Sequence, residues 1–503
     1  MYLKLALCVF LLIGMQMCVA YPARQTPTSV AKDMTTKPKP VLPDDEDGLG
    51  NRFGIRSGSC PVGYIKAGSI FKCIDSSGTY KNHENPLILT SYIENGEVEK
   101  ARSLSKNDPT VYKNIKSYSG FLNVNKTEDW NLFFWYFPNK RQISEQTPWI
   151  VWLQGGPGMS SLYGLFREIG PLTINNGKVG MMPVTWASDY SLLFIDNPAG
   201  SGFSFSRRKR YPNNQDEIGQ SLLMFMKQFV QVFPELKEAP LFIAGEEYGG
   251  KYVVGMAHYI HHDEMFSSTI NLKGLIIGDG WIDPPNLLQY SKWALQLGLV
   301  DHQQAAKIRE VEDMARMYWE QHNLYDYAGK AKMAYNMLKI FAPFDDLNYL
   351  KDDTEHWEQE LIKFLNQDKV KKVLHVGDIG FDFINYSSQS KLYEEIYLSV
   401  KPWLEELIEH YGVLCYSGQL DMLMAYALLV KSYRNLEWSG REAYLKASRE
   451  PIFGRDHTVN GYIKMAGNFM EIMVRGAGQH VPADNPIVAK HVIDFFIEKN
   501  TNN

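Results

Sequence analysis

Short apolar runs bounded by Gly, Pro, Asn or Asp recur along the chain. Runs of this length between turn-forming residues are typical of buried β-strands. We therefore predict strands at residues 131–137, 149–153, 192–195, 241–244, 272–277, 413–416 and 472–474. Helix-length patterns lie between several of these strands, for example at residues 217–233 and 251–261. Strands that alternate with helices predict an α/β fold with a mostly parallel central sheet.

The chain divides into segments of different composition. Residues 21–84 are predicted to form a tail or propeptide with a small loop between Cys60 and Cys73, because Thr, Pro, Lys and Asp dominate the first part of this segment. Residues 85–284 and 409–503 are predicted to form one α/β core. Residues 285–408 are helical in pattern and rich in Lys, Glu, Tyr and Met, so we predict an inserted helical cap there.

The first twenty residues have the layout of a secretory signal peptide. Lys4 is followed by an apolar run at residues 5–13 and by small residues up to Ala20. The run is too short to cross a bilayer, which takes about 20 apolar residues. We therefore predict cleavage after Ala20, no membrane span, and a mature chain that is secreted or held in a lysosome-like lumen of the secretory pathway.

A chain in the oxidising secretory pathway can form disulfides and carry N-linked glycans, so its cysteines and glycosylation motifs are interpreted on that basis. Cys60 and Cys73 lie close in sequence and are predicted to form a disulfide. Cys415 lies in an apolar run and is predicted to be a buried thiol. Asn125 and Asn385 begin N-x-S/T motifs and are predicted glycosylation sites.

The composition excludes several classes of protein. Of the 503 residues, 45% are hydrophobic and 22% are charged, which excludes a wholly disordered chain and a polytopic membrane protein. The net charge of -5 gives no global electrostatic basis for binding nucleic acid. Locally, the run Arg-Arg-Lys-Arg at residues 207–210 offers either a protease cleavage site or a solvated loop, and we favour the loop.

Candidate chemistry lies at residues 241–252, which combine a predicted strand, a turn flanked by glycines and the start of a helix. This is the layout of a nucleophile elbow, in which the central residue of G-x-S-x-G is exposed above the sheet. The central residue here is Glu247 rather than Ser. On this motif alone, a plain helix start with an acidic first turn is the better interpretation.

Four further motifs change that interpretation. They read W-L-Q-G-G-P-G-M-S-S at residues 152–161, I-D-N-P-A-G-S-G-F-S at 195–204, Y-S-G-Q-L-D at 416–421 and R-G-A-G-Q-H-V-P at 475–482. Together with the elbow, and in this order, they resemble the serine carboxypeptidase family, most closely its vitellogenic carboxypeptidase branch. The resemblance covers residues 85 to 497 and implies an α/β-hydrolase fold.

The resemblance assigns a residue to each position of a catalytic triad. In the family the elbow reads G-E-S-Y-G-G, an Asp ends the G-Q-L-D motif, and a His directly follows R-G-A-G. Here the acid is retained as Asp421, whereas Glu247 stands at the nucleophile position and Gln479 at the base position. His480 falls one position later and is expected to point elsewhere. A local shift that turns His480 inward is the alternative.

The resemblance also implies the surroundings of the triad. It assigns the oxyanion hole to the backbone N–H groups of Gly156 and Tyr248, and recognition of a substrate's terminal carboxylate to Gln154, Glu168 and Glu246. A pair of carboxyl groups binds a carboxylate only when it carries protons. We further expect the Glu247 carboxylate to occupy the oxyanion hole, and its repulsion with Glu246 to raise at least one pKa.

These substitutions predict a catalytically inactive family member, a pseudoenzyme, that retains a cleft for a peptide or protein ligand. Gln479 has no titratable nitrogen, and a tetrahedral adduct of Glu247 would expel the carboxylate instead of the amine. Two alternatives stay open: a working hydrolase that uses Glu247 or His480, and a secreted storage or partner-binding protein. The resemblance implies no cofactor and a possible homodimer.

One predicted helix is rich in histidine near its end. His258 and His262 are spaced i, i+4, so they could share a metal ion. No third ligand is evident in the sequence, and the resemblance implies no metal there. We therefore predict a surface face and no metal site.

Overall fold

A computed structural model describes residues 64–67, 70–73, 85–139, 147–344, 347–351 and 357–502. The predicted signal peptide at 1–20, most of the predicted tail and Cys60 lie outside these residues. Cleavage after Ala20 and the disulfide between Cys60 and Cys73 therefore stay predictions. None of the helices in the described ranges combines the length and the apolar character that a bilayer crossing needs.

Strands and helices alternate along most of the described chain. The strands are β1 (Tyr64–Ala67), β2 (Ile70–Cys73), β3 (Tyr118–Asn125), β4 (Trp130–Phe137), β5 (Trp149–Leu153), β6 (Leu172–Asn175), β7 (Lys178–Met181), β8 (Ser191–Ile195), β9 (Phe205–Ser206), β10 (Leu241–Glu246), β11 (Leu272–Gly278), β12 (Gly412–Gly418), β13 (Glu450–Phe453), β14 (Val459–Ala466) and β15 (Phe469–Val474). The α-helices are α1 (Thr90–Glu94), α2 (Val98–Leu104), α3 (Gln215–Val232), α4 (Gly249–His262), α5 (Glu264–Ser267), α6 (Tyr290–Gln296), α7 (His302–Glu320), α8 (Leu324–Phe341), α9 (Trp357–Leu365), α10 (Asp368–Val373), α11 (Tyr386–Lys391), α12 (Lys401–His410), α13 (Tyr426–Arg434), α14 (Arg441–Lys446), α15 (Val481–Asp484) and α16 (Pro486–Thr501).

One large sheet carries the fold, and its six central strands are parallel. The strand order is β13-β14-β15-β12-β11-β10-β5-β8-β4-β3. Neighbours from β15 to β8 pair in parallel, whereas β3, β4, β13 and β14 form antiparallel pairs at the two edges. All seven predicted strands are present, and the mostly parallel sheet of an α/β-hydrolase fold is confirmed. β3 and the β13–β14 hairpin are additional, since Ser, Gly, Asn and Lys interrupt their apolar pattern.

The central strands are covered on both faces. β4, β5, β8 and β10 consist of buried residues only. One apolar cluster packs α3 and α4 against one face of the sheet, and a second packs α16 against the other. Strands covered on both faces read as continuous apolar runs, which is why short runs were enough to locate them.

Helices α6 to α12 are inserted between β11 and β12, which are adjacent and parallel in the sheet. They occupy residues 290–410, close to the predicted cap at 285–408. The insertion reaches the glycine turns of the predicted site, because Ile384 forms a β-bridge with Met159 and Asp382 forms one with Gly202.

A buried lysine ties this insertion to the core. Lys251 on α4 places its Nζ 2.9 Å from Glu395 Oε1 and 3.0 Å from Leu398 O, both in the insertion. A buried charge is stable only when its donors are satisfied, and here one carboxylate and backbone carbonyls satisfy them. The helix that follows the elbow is therefore fixed to the inserted segment.

Candidate active site

β10 ends in a sharp turn centred on Glu247. This residue has a φ of +56°, and α4 begins two residues later at Gly249. A positive φ is unfavourable for a residue with a side chain, so the surrounding structure must hold the turn in place. The turn packs closely on β5, since a Cβ atom at Gly245 would lie 2.5 Å from Leu153 O. The strand, turn and helix have the geometry of a nucleophile elbow.

The Glu247 carboxylate lies against the backbone of the neighbouring glycine turn. Gly156 N donates to Glu247 Oε2 over 2.6 Å. The expected contact with Gly156 is therefore present, whereas no hydrogen bond joins this carboxylate to Tyr248 N in the described structure. Burial raises the pKa of Glu247 to about 7, although the Gly156 hydrogen bond lowers it. The charge of Glu246 contributes less, so desolvation rather than repulsion is the main cause of the raised pKa.

Asp196 holds the glycine turn in place. Its Oδ1 accepts hydrogen bonds from Ser160 Oγ at 2.6 Å and Ser161 N at 3.0 Å, and its Oδ2 accepts from Phe203 N at 2.8 Å. It therefore connects the turns that follow β5 and β8. Burial raises the pKa of Asp196 to about 7. The motif that contains Asp196 was recognised in the sequence. Its role in connecting the two turns was not, because it arises only when β5 and β8 are neighbours in the sheet.

Asp421, which the resemblance assigns as the triad acid, lies just after β12 and is buried. Its Oδ1 accepts from Leu423 N at 2.7 Å and from Met424 N at 3.0 Å. A second buried acid, Asp279, lies nearby. Burial and then the charge of Asp421 raise the pKa of Asp279 well above its usual value. Sequence reasoning assigned Asp279 no role, because only the parallel pairing of β11 and β12 brings the two acids together.

Gln479, which the resemblance assigns to the base position, makes no hydrogen bond through its side-chain donor within the described ranges. Its backbone N donates to Leu347 O over 2.7 Å. Its side-chain Nε2 is buried and has no hydrogen-bond partner among the described residues. The side-chain N–H of Gln479 therefore does not link the residues assigned to the triad. Burying this donor without a hydrogen bond is unfavourable for folding.

The three residues assigned to carboxylate recognition come together in the structure, and His480 joins them. Gln154 Nε2 donates to Glu246 Oε1 over 2.8 Å, and Gln154 Oε1 accepts from Trp152 Nε1 over 2.9 Å. His480 Nδ1 contacts Glu246 Oε1 and lies 3.0 Å from Glu168 Oε1. His480 therefore faces the carboxyl pair, a partnership that residue spacing did not reveal.

The charges of this cluster depend on one another. Burial, followed by the charge of Glu246, raises the pKa of Glu168 well above its usual value, although His480 opposes the shift. Burial alone would lower the pKa of His480, but Tyr163 and the two carboxyl groups raise it well above its usual value. The cluster thus favours an imidazolium beside a carboxyl pair that retains a proton on Glu168 to higher pH than usual.

The remaining predicted residues lie away from this cluster. Asn125 ends β3, and Asn385 precedes α11; both are partly exposed, and their glycosylation stays a prediction. In the basic run, Arg210 lies 3.3 Å from Glu128 on the surface. Cys415 on β12 is fully buried, as predicted.

Comparisons with known proteins identify the family. The family model for serine carboxypeptidase matches residues 108–499. The human protein named probable serine carboxypeptidase CPVL is 38% identical over 439 residues, which cover 82% of this chain and 89% of that protein. The vitellogenic carboxypeptidase of Aedes aegypti is 37% identical over 430 residues, covering 82% and 90%. The chain belongs to the serine carboxypeptidase family.

A solved structure of similar architecture is that of the prohormone-processing carboxypeptidase Kex1 of Saccharomyces cerevisiae. Its crystal structure matches with a TM-score of 0.73 and 22% identity, and the match covers 79% of this chain and 96% of that one. At this identity the likeness supports the fold alone. The family assignment made from separated motifs is confirmed.

We predict that Gln479→Leu raises the free energy of unfolding by about 1–2 kcal/mol, because it removes a buried donor without a partner and keeps the volume. The measurement is urea unfolding at pH 7. Gln154→Leu is the matched control, since both polar ends of Gln154 are bonded. That variant should lose about 2–4 kcal/mol. If Gln479→Leu and Gln154→Leu lower the free energy of unfolding equally, the Gln479 side-chain amide is hydrogen-bonded in solution and the prediction is wrong.

We predict that Glu247→Gln stabilises the protein at pH 8 by about 2–3 kcal/mol and has little effect at pH 4.5. A carboxyl group whose pKa is raised by folding, here to about 7, takes up a proton on folding. The wild-type chain therefore loses stability as pH rises from about 4.3 to 7, and the Gln variant lacks this contribution. Urea unfolding of both proteins across this range measures the difference. The control is Glu310→Gln at an exposed position, for which the change in the free energy of unfolding should be the same at pH 4.5 and pH 8. If Glu247→Gln also changes the free energy of unfolding by the same amount at both pH values, the raised pKa of Glu247 is contradicted.

Proposed function

We propose that this protein is a secreted member of the serine carboxypeptidase family that does not hydrolyse peptides and instead binds peptide C-termini. The contact between Glu247 Oε2 and Gly156 N carries the proposal. A carboxylate, that of Glu247, stands at the proposed nucleophile position. It accepts a hydrogen bond from the Gly156 N–H, a group assigned to binding the oxyanion. Secretion is proposed from the N-terminal segment of the sequence.

Attack on a peptide carbonyl is disfavoured at Glu247 for a chemical reason. A carboxylate that adds to an amide carbonyl forms a tetrahedral adduct with two possible leaving groups, the carboxylate and the amine. The carboxylate leaves more readily unless the amine is protonated by an acid. The adduct therefore returns to the starting peptide. In addition, Glu247 must leave Gly156 N before that N–H can stabilise an oxyanion.

Proton transfer lacks its usual group as well. A serine-type mechanism needs a base that accepts a proton from the nucleophile and returns it to the leaving amine. The Gln479 amide does neither at accessible pH. His480 is a titratable group nearby, but no hydrogen bond or ion pair joins it to Glu247 among the described residues, and its Nδ1 faces Glu246 and Glu168.

The parts that recognise a carboxylate are retained. Gln154, Glu168 and Glu246 form one buried cluster, and His480 adds a positive charge on its outer side, with 12% of its side chain exposed. A ligand carboxylate is attracted when the imidazolium is present and Glu168 is protonated. This arrangement supports peptide binding that is strongest in acid.

We predict no detectable release of C-terminal residues from N-blocked dipeptides by the natural chain between pH 4 and 7. Loss of triad members typically costs about 10⁴ to 10⁶ in turnover. The double variant Glu247→Ser plus Gln479→His should gain measurable turnover, because Asp421 and the glycine turns are already in place.

The single variants are the matched controls for this assay, and neither should show activity. Cleavage by the natural chain would overturn the proposal. If such cleavage disappears in Glu247→Ala or in His480→Ala, the residue replaced identifies the altered chemistry of a working hydrolase.

We predict that N-acetylated dipeptides with a free C-terminal carboxylate bind at pH 5 at least tenfold more tightly than their C-terminal amides. Calorimetry at pH 5 and pH 8 measures both. Affinity for the acid should fall as the pH rises, because Glu168, whose pKa is raised by burial and by the charge of Glu246, repels the ligand once it loses its proton. His480→Ala should remove the preference for the acid, whereas the exposed control His302→Ala should not. Equal binding of acid and amide would contradict C-terminal recognition and favour a storage or partner-binding role.

A further inference from the structure

A cluster of potential metal ligands lies on the surface where α4 meets α12. His258 and His262 are one helical turn apart on α4, so they share a face. Glu406 on α12 reaches this face from the neighbouring helix. One ligand atom from each of the three residues can be chosen such that all lie within 4.8 Å of one another.

The two separations between Glu406 and the histidines are close to those between ligand atoms of a tetrahedral zinc ion. His258 Nδ1 lies 3.3 Å from Glu406 Oε2, and His262 Nε2 lies 3.1 Å from Glu406 Oε1. Zinc holds nitrogen and oxygen ligands at about 2.0–2.1 Å, so the edges of a tetrahedral site measure about 3.3 Å. The two measured separations fit such a site, and all three ligand atoms lie within 4.8 Å of one another.

The first histidine is positioned by its surroundings. The His258 ring stacks on Trp403 with centroids 4.5 Å apart and planes 8° apart, and its side chain is 19% exposed. The side chains of His262 and Glu406 are 51% and 38% exposed, so solvent can reach the centre of the cluster. A pre-positioned ligand on a rigid helix and an open side for entry are both features of a protein metal site.

Glu406 is the third ligand that the sequence did not reveal. In place of the sequence-based prediction of no metal site, we propose that His258, His262 and Glu406 bind one Zn²⁺ ion, with solvent in the fourth position. The ion ties α4, which follows the elbow, to α12, which leads into β12 and the segment of Asp421. Two imidazoles and one carboxylate are a ligand set that zinc accepts. The site is separate from the proposed peptide cluster, whose acid Glu246 is already bonded to Gln154.

The test is zinc titration of the tag-free, metal-stripped full chain by calorimetry, with metal content measured after dialysis. We expect one zinc ion per chain and a rise in Tm of about 3 °C when zinc exceeds its Kd by about 100-fold. His262→Ala and Glu406→Gln should each weaken binding at least tenfold. The exposed histidine control His302→Ala should bind as the natural chain does.

Folding of each variant is checked without zinc by circular dichroism and Tm, so that a lost site is distinguished from a lost fold. Cobalt supplies a second measurement, because its visible absorption reports four-coordinate binding and should be reduced in the same two variants. Absence of stoichiometric zinc binding would overturn the proposal. So would zinc binding that survives both variants, or that is lost in His480→Ala, which would place the ion at the Glu168–Glu246–His480 cluster.

Discussion

The close packing of the elbow on β5 is the constraint on which the candidate site depends. β10 must turn at Glu247 with a positive φ, while Gly245 passes Leu153 O with no room for a side chain. This backbone places the Glu247 carboxylate against the N–H of Gly156. Under the function proposed above, Glu247 thereby occupies an N–H group that would otherwise stabilise an oxyanion.

A second constraint is electrostatic, because several acidic side chains meet near the carboxyl ends of the central parallel strands. Glu168, Glu246, Asp279 and Asp421 are buried, and Glu247 is partly buried. Burying this many charges is costly, and the raised pKa values of Glu168, Glu247 and Asp279 show how the fold limits the cost by retaining protons. His480 supplies a positive charge to the pair that it contacts. Burying these groups is therefore less costly in acid, where they keep their protons, than at neutral pH.

Sequence patterns predicted the central strands well because those strands are buried on both faces and short turns separate them. The family resemblance, rather than these patterns, assigned Glu247, Gln154 and Glu246 to one site, and each lies at the end of a parallel strand or in the turn after it. Contacts between distant segments were out of reach. The pairing of His480 with Glu168, the anchoring of Lys251 by Glu395 and the approach of Glu406 to His262 each join residues more than a hundred positions apart.

Retention of family motifs is weak evidence for retained catalysis, because several of these residues also support the fold. Asp421 accepts two backbone N–H groups, and Asp196 connects two turns, so either would be kept in a chain that had lost its chemistry. Gln479 is different. Its buried side-chain donor has no partner among the described residues, so packing alone does not explain an amide there. As support for the proposed loss of catalysis, the contrast between the hydrogen-bonded Asp421 and the side-chain donor of Gln479, unpartnered within the described ranges, therefore weighs more than the number of motifs retained.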